Sequence, residues 1–225
     1  QPNQAHNGRN HTKLARNLLR HKGQSAYLKR PLRILTDRRS DLSADRTRRI
    51  NRLRGQLTGI FPALERVLDM GNVGPLVLLT GYQTSAALRR VGRSRLETWL
   101  RNRKVRGADT LAQAALEAAE RQHTTVPGEK IAAQVIHTLA KEVMDLNEQI
   151  AEIDKLIAAR FRDHDLAEVI ASMPSIGPLL GAEFLAATSG DMTRFGSADR
   201  LASFAGVAPG SVNDRNDQTS QDLRL

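Results

Sequence analysis

Between positions 139 and 157 the residues Leu139, Val143, Leu146, Ile150, Ile153 and Ile157 follow one another at steps of 4, 3, 4, 3 and 4. A strand cannot use that spacing, because its side chains alternate with period two, whereas a helix returns all six to one stripe. The pattern predicts a long helix with a coiled-coil seam of almost three heptads, opened by the Pro127-Gly128 punctuation. Such a seam needs a partner. Leu32, Leu35, Leu42, Ile50, Leu53 and Leu57 form a second helical stripe that ends near Gly59 and Pro62. The seam can therefore pair with this stretch of the same chain or with a second copy. Aromatic residues make up only 4% of the chain, so its core must be built from Leu, Ile, Val and Ala, which suits packed helices. The expected fold is mainly α, with long antiparallel helices.

Charge restricts the partners. The formal net charge is +10, and 27 of the 34 cationic residues are arginine. A surplus of that size attracts polyanions, and the planar guanidinium fork suits phosphate oxygens and guanine edges. Two patches stand out. Arg46, Arg49 and Arg52 lie along the first long stripe, and Arg93, Arg101 and Arg103 surround a Ser94–Glu97 capping-box pattern that would open a helix carrying Leu96, Trp99 and Leu100. Trp99 could stack on a base, but beside two leucines it reads as a core residue.

Other chemistry finds little support. Without cysteine there are no disulfides, no Cys-ligated zinc and no thiol catalysis. No apolar run reaches the length of a membrane span, and residues 1–31 lack a signal-peptide core, so no membrane partner and a cytoplasmic, nucleoid-associated location are expected. His6, His11 and His21 read as solvated surface. The acids Asp37, Asp41 and Asp45, and the row Glu142, Asp145, Glu148 and Glu152, read as charged helix faces rather than metal ligands.

Farther on, Pro174-Ser175-Ile176-Gly177 separates the apolar residues Val169, Ile170 and Met173 from Leu180, Ala182 and Leu185. This has the shape of a helix-hairpin-helix, in which free N–H groups at the start of the second helix can hold a phosphate. Contacts of that kind position a duplex without reading its sequence. The usual turn carries glycine where this chain has Ser175.

The run from Met173 to Pro209 resembles the start of the C-terminal domain of the insertion-sequence "one-ten" transposases, relatives of the Piv DNA invertases. The shared features are Pro174 to Gly177, a small-residue helix from Gly181 to Ala187, Asp191, Arg194-Phe195 and an Ala-Gly-Val-Ala-Pro terminus at residues 205–209. Residues 32–162 are similar to that family's central helical region. The resemblance implies a DNA recombinase with a divided active site. Four acids of an N-terminal RuvC-like domain would bind a divalent metal such as Mg, and a serine in a Ser-Gly context would hold the cut strand. It also implies DNA and a structured guide RNA as partners, and assembly as a homo-oligomer, here through the coiled coil.

Neither catalytic centre can be carried onto this sequence. Residues 1–36 contain no Asp or Glu, and neither Ser211 nor Ser220 precedes a glycine. The chain is therefore expected to hold no catalytic residue and no metal, as a truncated or frame-shifted scaffold would. Its expected organisation is a flexible basic arm over 1–30, a central helical and coiled-coil region over 31–162, the helix-hairpin-helix part of a transposase domain over 163–209, and a polar tail over 210–225. The competing reading is a non-catalytic coiled-coil nucleic-acid-binding or regulatory protein that associates with an intact transposase.

Overall fold

The computed structural model describes residues 5–189 and 195–204, with the side chains of residues 5–29, 198, 202 and 204 outside that description. The expected tail over 210–225 lies outside the described residues, as do Asp191, Arg194 and the segment 205–209. Every regular element among the described residues is a helix.

Two long helices make the frame. Helix α1 spans Ala5–Ile60 and helix α7 spans Glu129–Arg162. They run antiparallel, as three cross-pairs show. Arg39 meets Asp154 at 2.6 Å, the Arg46 Nε donates to the Asn147 side-chain oxygen at 2.5 Å, and Arg49 meets Glu142 at 2.9 Å. Residue numbers rise along one helix as they fall along the other. The partner of the 139–157 stripe is thus the first helix of the same chain. Helical backbone already begins at Ala5, so the stretch expected as a flexible arm continues α1. Pro31 lies inside this helix and, lacking an N–H, leaves one bond of its ladder unmade.

A core sits at each end of this pair. At one end, Leu53, Leu57 and Ile60 of α1 and Ile136, Leu139, Ala140 and Val143 of α7 pack with the short helices between them. Those are α2 (Pro62–Glu65), α3 (Val73–Gly81), α4 (Ser85–Val91), α5 (Arg93–Arg101) and α6 (Ala108–Glu120). Helix α3 is apolar nearly all round and buries five consecutive residues, Pro75 to Leu79, as a central helix must. Helix α6 buries five alanines, whose small side chains let neighbouring helices approach closely.

The second core joins Leu32 of α1, Ile157 and Phe161 of α7, and residues of α8 (Ala167–Ala171) and α9 (Pro178–Thr188). A last helix, α10, covers Ala198–Phe204. Gly181 fixes the seat of α9. A Cβ there would lie 2.6 Å from two ring carbons of Phe161, so only a bare Cα permits this approach. Arg39 adds a polar tie, facing Asp154 of α7 and, at 3.6 Å, Glu183 of α9. Between the two cores the seam residues Leu146, Ile150 and Ile153 are half-buried.

Candidate nucleic-acid interface

The turn from α8 to α9 presents the groups that the sequence pattern singled out. Pro174, Ser175 and Gly177 are exposed, while Ile176 packs against the second core and anchors the turn. Ser175 has φ 67°, the left-handed region where a side chain is strained, which is the physical reason that glycine is the usual residue there. Gly177 is the N-cap of α9 and Pro178 occupies the first turn. The first backbone bond of α9 runs from the Gly181 N–H to the Gly177 carbonyl. Leu179 and Leu180 therefore start an open helix end with no side-chain cap, a geometry suited to an anion. Ser175→Gly is expected to raise stability by about 0.5–1 kcal/mol, read as a melting temperature roughly 2 °C higher. A lower melting temperature would show that the Ser175 side chain supports the turn.

The arginines of the first patch have unequal tasks. Arg46 is turned into the structure, reaching Asn147 and, at 3.1 Å, the Gly71 carbonyl, so it holds the frame. Arg49 is paired with Glu142 and remains about two-fifths exposed. Arg52 is exposed, with no hydrogen bond or ion pair recorded among the described residues. Two of the acids of α1 are partnered by neighbouring arginines, Asp37 by Arg33 and Asp45 by Arg48, as on the charged face of a solvated helix.

In the second patch the expected capping box does not form. The N-cap of α5 is Gly92, at φ 72°, which also ends α4. A backbone kink that only glycine adopts easily places the N-cap two residues before Ser94, so that the helix starts at Arg93. Glu97 instead pairs with Arg101 one turn on. Arg93 is exposed with no recorded partner among the described residues. Trp99 packs against the first core, lies edge-on to Tyr82 at 5.2 Å and covers Gly81, where a Cβ would sit 2.5 Å from the indole. Arg103 stacks on its ring, with the guanidinium carbon 3.8 Å from the centroid. Arg89 donates to the Ala119 and Gln122 carbonyls and so closes the end of α6.

Of the predicted binding residues, Arg52, Arg93 and the 174–177 turn are thus presented to solvent. Arg101 and Arg103 are exposed but engaged, Arg49 is half-buried and paired, and Arg46 faces inward. Lys104 and Arg106 belong to the same basic stretch of the sequence, although not to the residues chosen from it as binding candidates, and they stand exposed in the turn between α5 and α6. Their signal was present as three cations within four residues ahead of Gly107. Among the described residues no group of three His, Cys, Asp or Glu side chains could hold a metal ion, and no helix is long and apolar enough to cross a membrane.

Comparison with known proteins places these features in context. Residues 167–213 match the transposase IS116/IS110/IS902 family. The chain is 56% identical over 179 residues to the insertion element IS900 uncharacterized 42 kDa protein of Mycobacterium paratuberculosis, covering 79% of this chain and 45% of that one. It is 55% identical over 179 residues to the insertion element IS116 uncharacterized 44.8 kDa protein of Streptomyces clavuligerus, with the same coverage. Against the insertion element IS110 uncharacterized 43.6 kDa protein of Streptomyces coelicolor, identity is 38% over 180 residues, or 79% of this chain and 44% of that one. The chain thus spans less than half the length of these relatives. No solved structure matches it.

Proposed function

Over the residues it shares with these relatives, the chain is a member of the IS116/IS110/IS902 transposase family, and from that membership we propose that it is the nucleic-acid-holding helical region of a DNA recombinase that moves an insertion sequence. The observation that carries this reading is where the family match begins. Its first residue, Ala167, is the first residue of α8, so the match takes in the exposed turn and the open start of α9. In this reading the long helix pair is a rigid frame, and it carries the turn at one end and the α5 arginines at the other. Backbone N–H groups at α9 and the side chains of Arg49, Arg52 and Arg93 contact phosphates, which position DNA without reading its sequence.

A structured guide RNA would use the same phosphate chemistry, and its pairing rather than the protein would then choose the DNA partner. The site of action is the cytoplasm, where the element's DNA lies. The half-buried residues Leu146, Ile150 and Ile153 support a second copy resting on the middle of the helix pair. We assign no catalytic role to any residue here. The divalent metal that the family resemblance implies finds no fitting donor set among the described residues, so no step is routed through it.

Size-exclusion chromatography with light scattering, run with and without duplex DNA, tests the binding and the assembly together. The expected result is co-elution with DNA, and a mass for the free protein of twice 24.8 kDa. A chain that elutes apart from DNA overturns the binding. A free mass of 24.8 kDa overturns only the second copy.

A further inference from the structure

A groove of about 560 Å³ lies between the start of α3 and the turn that joins α5 to α6. We propose that it holds the phosphodiester backbone of duplex DNA, a contact that rests on the nucleic-acid reading above and gives it a specific site. Three cations, Arg103, Lys104 and Arg106, line one wall, and Asn72 to Pro75 line the other. No Asp or Glu is among the lining residues. Asp69, the acid nearest in sequence to that wall, spends its oxygens on the Gly71 N–H and the Asn72 side-chain amide.

The cations are held ready rather than merely nearby. Arg103 is stacked on Trp99 and donates to the Trp99 carbonyl at 3.2 Å, which fixes its plane while leaving other N–H groups free to point outward. Lys104 has φ 58°, a left-handed turn that sets the three charges side by side on a short loop. The walls are pinned together at Gly74, where a Cβ would lie 3.0 Å from Val105. All three cations are exposed, so this is an open trough across which a polymer can pass, not a closed pocket for a small molecule. A phosphate chain lying in it would meet cations from one loop and the positive end of the nine-residue helix α3 from the other wall.

The test is fluorescence anisotropy with labelled duplex DNA, repeated over a series of salt concentrations. Lys104→Gln combined with Arg106→Gln leaves the Arg103–Trp99 stack intact, and neither residue has a recorded side-chain partner among the described residues. Arg66→Gln combined with Arg121→Gln removes the same charge from exposed positions outside the groove. Affinity at low salt is expected to fall about tenfold for the groove variant, and its slope of log affinity against log salt to become shallower by about two. The control variant is expected to stay within about twofold of wild type. Equal losses in both variants, or none in the groove variant while wild type binds, would overturn the groove and leave the nucleic-acid reading standing. Failure of the wild type to bind would overturn both. Arg106→Gln alone, expected to lose about half of the slope change, checks the assignment should the double variant melt early.

Discussion

Val143→Asp is expected to lower the stability of the chain by about 4–5 kcal/mol. Val143 is fully buried in the first core, where α7 meets the end of α1. A carboxylate there would sit among the apolar side chains of the first core, and a buried charge without a partner costs several kcal/mol even after relaxation or protonation. Against a typical total of 5–15 kcal/mol, a loss of about 4–5 kcal/mol is between a third and nearly all of the stability that a domain has. Circular dichroism on heating would read it as a melting temperature lower by roughly 10–20 °C. Leu156→Asp is the matched control on the same helix. That side chain is 54% exposed, so its replacement is expected to shift stability by no more than about 0.5 kcal/mol. A Val143→Asp chain that melts within a few degrees of wild type would show that α1 and α7 do not pack as described.

Gly181→Val should detach α9 without unfolding the rest. The new side chain would enter space held by Phe161, whose ring atoms lie 2.6 Å from an ideal Cβ, and by Ile170 at 3.2 Å. Overpacking of this kind costs about 1–3 kcal/mol. The second core is small enough for that cost to be met by lifting one helix. Limited proteolysis is expected to cut between residues 172 and 188 much faster than in wild type, while the first core stays protected. Phe161→Ala in the same chain makes room and should recover part of the loss, a coupling that distant sites would not show. Unchanged proteolysis of Gly181→Val would mean that α9 does not rest on Phe161.

These two positions also show what a sequence can and cannot convey. The 4-3 spacing separates Val143 and Ile157, both fully buried, from the neighbouring Leu156, which faces solvent. Burial follows the period because a helix has one inward stripe. The spacing could not choose the partner of that stripe. The choice rests on cross-pairs such as Arg39 with Asp154 and Arg49 with Glu142, which are 115 and 93 positions apart and leave no local pattern.

The candidate binding residues divide in the same way. Arg46 and Arg52 look alike in sequence, yet one is bound to Asn147 and Gly71 while the other is open to solvent. Ser94 and Glu97 have the spacing of a capping box, and the left-handed Gly92 overrides it by starting the helix earlier. Ser175 stands where the usual turn carries glycine, and its φ of 67° lies in the region that glycine favours. The spacing that specifies a helix face carried through. Assignments that depend on which distant group lies opposite did not.

The most direct measurement for this account is the salt dependence of duplex DNA binding by the wild-type chain. Each phosphate contact releases counterions and contributes about −0.9 to the slope of log affinity against log salt. With Arg52, Arg93, the three groove cations and the open end of α9 in contact, a slope of about −5 is expected. A flat line, or no measurable binding at low salt, would contradict it.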